Sequence, residues 1–102
     1  LKTKLSFTPQ SRDDIAEIHR YISDELGSPV AAETTIRKIM EHINKLRDFP
    51  DMGASLKNRL GVKTEYRFLV CENYLAFYKH EGDGIHIYSI LYSKRDPWNV
   101  LF

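Results

Sequence analysis

Apolar and polar positions recur with two different periods along this chain, one of four residues or so and one of two. Leu5 and Phe7 alternate with Lys4 and Ser6, the pattern of a short half-buried strand. Thr8-Pro9 then supplies an N-cap and a first-turn proline. Asp13, Asp14 and Glu17 stand near the positive end of the helix dipole that follows. Ile15, Ile18, Ile22 and Leu26 form one apolar stripe at three- and four-residue spacing, closed by Gly27. Ser28-Pro29 repeats the capping chemistry, and Val30, Ile36, Ile39, Met40, Ile43 and Leu46 make a longer stripe that stops at Phe49-Pro50. The connection Gly27-Ser28-Pro29 is so short that the two helices must be antiparallel neighbours.

Helical periodicity is lost from Asp51 to Lys63, where Gly53, Ser55, Asn58 and Gly61 predict a loop, long for so small a domain. Strand periodicity follows. Tyr66 to Cys71 and Tyr74 to Lys79 are rich in aromatic and β-branched residues and are separated by Glu72-Asn73, with Asn73 the residue suited to positive φ. Glu81-Gly82-Asp83-Gly84 marks a second turn before the last strand, Ile85 to Tyr92. Asp96-Pro97-Trp98 and the residues after it suggest a short terminal turn or helix. The prediction is a single α+β domain over residues 1–102. An N-terminal strand and an antiparallel helical hairpin pack on a three- to four-strand antiparallel sheet.

On the last strand, His86, Tyr88, Ile90 and Tyr92 share one face, and Ile85, Ile87, Ser89 and Leu91 the other. The second, more aliphatic set is expected to meet the helices. The first would leave a tyrosine and histidine row on the outer surface, either as cross-strand aromatic pairs or as a recognition surface. Leu69, Phe68, Phe77 and Val70 are assigned to the core.

Composition narrows the function classes. The length of 102 residues suits one domain, and the apolar share of 42% with 28% charged is that of an ordinary globular protein. No apolar run reaches the roughly 18–20 residues of a membrane span, and the first residues show no secretory signal. Cys71 is alone, which precludes an intrachain disulfide and points to a reducing, cytoplasmic setting. The net charge of +1 is unevenly spread: residues 1–51 hold eight Lys/Arg against nine Asp/Glu, and residues 52–102 seven against five. That excess permits nucleic acid as a partner without demanding it.

Sites for metals and nucleotides are not written in the chain. His19, His42, His80 and His86 have no companions at ligand spacing, and His19 and His42 read as exposed helix positions. No glycine-rich phosphate loop and no nucleophile elbow occurs, so no cofactor is expected. The remaining candidates are cations, Arg67, Lys94 and Arg95. Arg95 stands where the last strand stops, between Lys94 and Asp96-Pro97, and could bind a carboxylate or phosphate through its planar fork.

The series Phe49-Pro50 with Gly53, Tyr66-Arg67, Asn73 to Tyr78, Ile85 to Leu91 and Ser93-Lys94-Arg95-Asp96 resembles the RelE/ParE toxin superfamily. With the helical hairpin before it, the resemblance covers nearly the whole chain, and its aromatic pattern favours the ParE-like branch. It implies a small cytoplasmic toxin of a type II toxin–antitoxin system, bound and neutralised by a cognate antitoxin. ParE-like members inhibit DNA gyrase; RelE-like members cut mRNA on the ribosome, the alternative activity here. A non-toxic protein-interaction module is the third reading.

For the cutting branch the resemblance maps Arg95 onto a phosphate-stabilising arginine and Arg67 onto a nearby basic position, with His80 and Tyr92 as geometric substitutes for the missing acid–base group. Leu75 and Leu69 occupy positions where that branch carries cations. Losing one such cation typically costs on the order of 2.7–4 kcal/mol of barrier, so gyrase inhibition is the expected activity. Contacts to target or antitoxin are then expected from Arg67, Tyr78, Lys79, Tyr92, Lys94, Arg95 and Trp98.

Overall fold

The computed structural model describes residues 3–61 and 63–94. Strand β1 (Lys4–Phe7) leads into helix α1 (Pro9–Arg20), which continues as a π-helical turn over Tyr21–Glu25. Helix α2 (Pro29–Asn44) ends in a 3-10 turn, Lys45–Arg47, and is followed by the two-residue strand β2 (Ala54–Ser55) and the short helix α3 (Leu56–Leu60). The meander β3 (Arg67–Cys71), β4 (Tyr74–Glu81) and β5 (Gly84–Tyr92) completes the described chain.

Both long helices start where the capping residues say they should. The Thr8 hydroxyl accepts from the Ser11 N–H at 3.1 Å, the Ser28 hydroxyl accepts from Ala31 at 3.2 Å, and each helix opens on proline. The helices lie side by side and cover one face of the sheet. There Ile39, Ile43 and Leu46 of the second helical segment meet Leu69, Cys71, Ala76, Tyr78, Ile85, Ile87 and Ile90, with Ile15, Ile18, Ile36 and Met40 at the margin. Burying an aliphatic side chain of this size contributes roughly 1.5–3 kcal/mol, so this cluster is the principal source of stability.

The stripes fail at the tip of the hairpin. Leu26 and Val30 are exposed, Val30 by 78%. The cause is visible at Tyr21, whose carbonyl accepts from Leu26 N–H at 3.0 Å, a five-residue step that widens the turn and rotates the stripe off the core. The segment read as a loop also holds structure. It crosses from the helix layer to the opposite face of the sheet, pairing through Ala54↔Phe68 and Ser55↔Arg67, and α3 then lays Leu56 on a second, smaller cluster with Leu75 and Phe77, which Tyr66, Phe68 and Leu91 flank.

Among the described residues the sheet is larger than expected and mixed: five strands in the order β1-β5-β4-β3-β2, with β1 parallel to β5 and the other pairs antiparallel. An isolated strand of four residues does not declare its partner, so its pairing was beyond the sequence pattern. In the first turn of the meander the left-handed residue is Glu72, with φ 57°, and not Asn73. Val70, assigned to the core, is 56% exposed on β3, next to the stretch that β2 is too short to cover.

The largest departure is a bulge. Pairing runs Phe77↔Ser89 and then Tyr78↔Ile87, so Tyr88 is the extra residue in β5. A one-residue insertion inverts the alternation beyond it. Ile90 therefore joins Ile85 and Ile87 in the helix-side core, at 2% exposure, while Leu91 turns to the far cluster. The outer row expected from His86, Tyr88, Ile90 and Tyr92 is broken in two.

Candidate functional site

The expected site residues fall at three separate places. At one end of the sheet, Arg67 and His80 line a cleft of about 280 Å³ together with Asp51, Ser55, Thr64 and Glu65. Arg67 lies opposite Tyr78 in the register, and His80 is two residues further along the same strand, so all three point to the helix side. Arg67 Nη1 donates to the backbone carbonyls of Gly53, at 2.9 Å, and Asp51, at 3.3 Å, while its Nε lies 3.8 Å from the Asp51 carboxylate. His80 Nδ1 meets the same carboxylate at 3.0 Å; since a carboxylate only accepts, the imidazole N–H donates. Asp51 is the residue that sequence reading missed here, hidden in a stretch without periodicity.

Tyr78 belongs to this end but not to its surface. It is fully buried, and its hydroxyl donates to the Pro50 carbonyl at 2.9 Å and accepts from Gly53 N–H at 3.0 Å. Burial raises its pKa, the largest of several influences. Tyr78, expected as a contact for target or antitoxin, has no exposed area in this chain alone. Tyr78, Arg67 and His80 together clamp the crossing segment, Pro50 to Gly53.

Lys79 projects from the opposite face. Its Nζ lies 5.0 Å from the centroid of Tyr66, whose ring meets Tyr88 edge-on at 5.0 Å, and the Glu81 carboxylate is 3.9 Å away. His86, opposite Lys79, shares a 2.7 Å hydrogen bond with the Ser6 hydroxyl.

The third place is the far end of β5. Tyr92 is paired with Tyr74, their rings 5.5 Å apart, and is about one-third exposed. Tyr74 is partly buried, which raises its pKa, and the nearby Tyr92 and Tyr21 push in the same direction. Lys94 is exposed just beyond, after Ser93, whose N–H donates to Asn73 at 2.8 Å. Arg95 and Trp98 lie outside the described residues.

These positions limit what Arg67, His80 and Tyr92, the three described members of the expected quartet, can do together. His80 pairs with Ile85 and Tyr92 with Tyr74; the intervening length of β4 puts them about 20 Å apart at ~3.3 Å per residue. Proton transfer needs partners within about 3 Å, or one water away. Tyr92 therefore cannot serve the same reacting atoms as Arg67 and His80. Arg67, moreover, commits its Nη1 to the chain's own carbonyls of Asp51 and Gly53. Cys71 is buried, and burial pushes its thiol up to about 12, so it is no nucleophile near neutrality. Among the described residues no cluster of His, Cys, Asp or Glu could hold a metal ion, and no helix is long and apolar enough to cross a membrane.

What the arrangement offers is a small α+β scaffold with one clamped crossing segment and an exposed Lys94 at the end of the last described strand. Residues 5–97 match the family described as the ParE toxin of the type II toxin-antitoxin system, parDE, and the chain belongs to that family. Among solved structures, it is similar to the chromosomal ParDE TA system from P. aeruginosa. The TM-score there is 0.76 at 21% identity, covering 91% of this chain and 98% of the other. At that identity the likeness speaks for the fold. No curated protein matches the chain.

Proposed function

We propose that this ParE-family toxin arrests growth by binding and inhibiting DNA gyrase, and that a cognate antitoxin neutralises it in a hetero-oligomeric complex. The binding edge in this reading is the end of β5, Tyr92, Ser93 and Lys94, continued by Arg95 and Trp98. The family membership carries the toxin class. The observation favouring inhibition over RNA cleavage is the dispersal of the candidate catalytic residues. Arg67 and His80 share a cleft, yet the guanidinium is bound by backbone carbonyls and Tyr92 lies at the other end of the sheet.

Two assays on the purified toxin test the reading. Inhibition of gyrase supercoiling is expected, with relief on adding antitoxin. Codon-dependent cleavage of mRNA on translating ribosomes, lost in Arg67→Ala or His80→Ala variants that remain folded, would overturn it in favour of the ribonuclease alternative. Inactivity in both assays would favour a non-toxic interaction module.

A further inference from the structure

The sequence places Asp14 near a helix N-terminus, yet it lies beyond the first turn of α1, which contains no acid. Its carboxylate has another task. Oδ2 accepts from the Ser89 hydroxyl at 2.8 Å and from the Ile90 N–H at 2.9 Å, and Oδ1 accepts from the Gln10 amide at 2.8 Å. The first two contacts join residues some 75 positions apart and tie α1 to β5 immediately after the Tyr88 bulge.

The location matters because β5 loses its neighbour there. The parallel pairing with β1 ends at Phe7↔Ile87. Thr8 extends the support by one residue, its N–H donating to Ile87 and its hydroxyl to the Tyr88 carbonyl. Beyond that, among the described residues, no strand flanks β5 on the β1 side, and an outward N–H of a strand edge needs some other acceptor. Asp14 is that acceptor.

We propose that Asp14 is a positioning residue: by pinning Ser89 and Ile90 it fixes the bulge at Tyr88 and so determines which face of the sheet presents Tyr92 and the Ser93-Lys94 end. The bulge sets the phase of every residue that follows. Were it to move past Tyr92, or to be absorbed by a register slip, Tyr92 would leave Tyr74 and turn to the opposite face. Backbone pairing to β4 alone does not prevent this, and burial of Ile90 opposes it without fixing one particular N–H. A carboxylate reaching across from a helix does, since it satisfies one particular N–H and one particular hydroxyl, and Ser89 is only 7% exposed. This inference rests on the reading that the Tyr92–Lys94 end meets gyrase.

The experiment uses the full chain with Asp14→Ala, Asp14→Asn and, as a stability control, Ile39→Val. Asparagine keeps one oxygen for Ser89 and Ile90, and the exposed Gln10 amide can turn to present its oxygen to the new NH2 group, so the variant should behave like wild type. Asp14→Ala is expected to lose the Tyr74–Tyr92 ring contact by nuclear Overhauser effect and to speed amide exchange at Ile90 to Tyr92, leaving Ile85 to Ile87 protected. Its half-inhibitory concentration against gyrase supercoiling should rise about tenfold or more, equivalent to about 1.4 kcal/mol of lost contact energy. Asp14→Asn and Ile39→Val should stay within about twofold.

A Tyr74–Tyr92 contact and exchange pattern unchanged in Asp14→Ala overturn the inference. So does equal weakening in the Ile39→Val control. If Asp14→Ala does not fold, Ser89→Ala removes one of the same bonds and is judged by the same readouts. Full inhibition by Tyr92→Ala and Lys94→Ala is a different result: it removes the binding-edge reading, and the ring contact and exchange data alone then decide the role of Asp14.

Discussion

Replacing Tyr78 with phenylalanine isolates the clamp that holds the crossing segment between the two faces of the sheet. The ring is fully buried among Ile39, Leu46 and Ile85, and phenylalanine preserves it, so only the hydroxyl is removed. Two hydrogen bonds go with it, from the hydroxyl to Pro50 and from Gly53 to the hydroxyl. Each is worth about 0.5–1.5 kcal/mol net, and Gly53 N–H, in a buried residue, is then left without its acceptor, which moves the cost towards the upper part of that range. The two bonds of Arg67 to Asp51 and Gly53 remain, so the segment should stay in place. A loss of about 2 kcal/mol follows, or roughly 8–16 °C in Tm for a domain of this size. Urea unfolding followed by circular dichroism measures it; a loss below about 0.5 kcal/mol would show that the hydroxyl is not a structural anchor. Gly53→Ala sharpens the test. A Cβ there would lie 2.6 Å from the Tyr78 hydroxyl and 2.7 Å from the Phe68 carbonyl oxygen. The second contact is with backbone, so Tyr78→Phe should not rescue Gly53→Ala, and a full rescue would refute the backbone argument.

Stability should fall as pH rises through the alkaline range. The Cys71 thiol is raised by burial from 9.0 to about 12, so above pH 9 the unfolded chain ionises while the folded chain must stay protonated; Tyr74 and Tyr78, also raised, act in the same direction. Urea midpoints measured from pH 8 to 11 should decline, less steeply in Cys71→Ala, and a flat profile would contradict the assignment. Val70→Lys should change stability by no more than about 0.5 kcal/mol, whereas Phe77→Ala, at 1% exposure, should cost about 3–5 kcal/mol in the same unfolding assay. Arg67→Lys should cost about 1–2 kcal/mol, since a single ammonium does not reproduce the forked contacts to Asp51 and Gly53. Its gyrase inhibition, measured per folded molecule, should match wild type.

The helical hairpin and the meander were legible because they rest on local signals. Thr8-Pro9 and Ser28-Pro29 cap the helices as their chemistry dictates, and Gly82, with φ 60°, makes the turn its sequence announces. What escaped depends on tertiary partners. The strand and helix between Ala54 and Leu60 are held by pairing with Phe68 and Arg67 and by Leu56 on Phe77, none of which has a periodic signature. Val70 and Phe77 have equally apolar side chains; one lies beside an edge that the short β2 leaves uncovered, and no pattern of residue types reveals where a neighbouring strand will stop. The candidate site was half legible. Arg67 and His80 do share a cleft, but their partner Asp51 and the burial of Tyr78 depend on where the crossing segment passes.

The bulge explains why the tyrosines do not form one surface. An unbroken β5 would align His86, Tyr88, Ile90 and Tyr92, and a partner lying flat on the sheet could touch all four. Inserting Tyr88 leaves His86 and Tyr88 on the far face, with Lys79 and Tyr66, and turns Tyr92 to Tyr74 and the helix side. The buried Ile90 is the consequence that stabilises this arrangement: in the unbulged phase an isoleucine would be exposed and Leu91 would be forced into the helix-side core. Burial of Ile90, about 1.5–3 kcal/mol, and the two bonds to Asp14 therefore favour the same register. Two aromatic patches on opposite faces are two surfaces. On the proposed reading, in which a toxin meets both an inhibitor and a target, that separation lets residues of one patch be altered without touching the other.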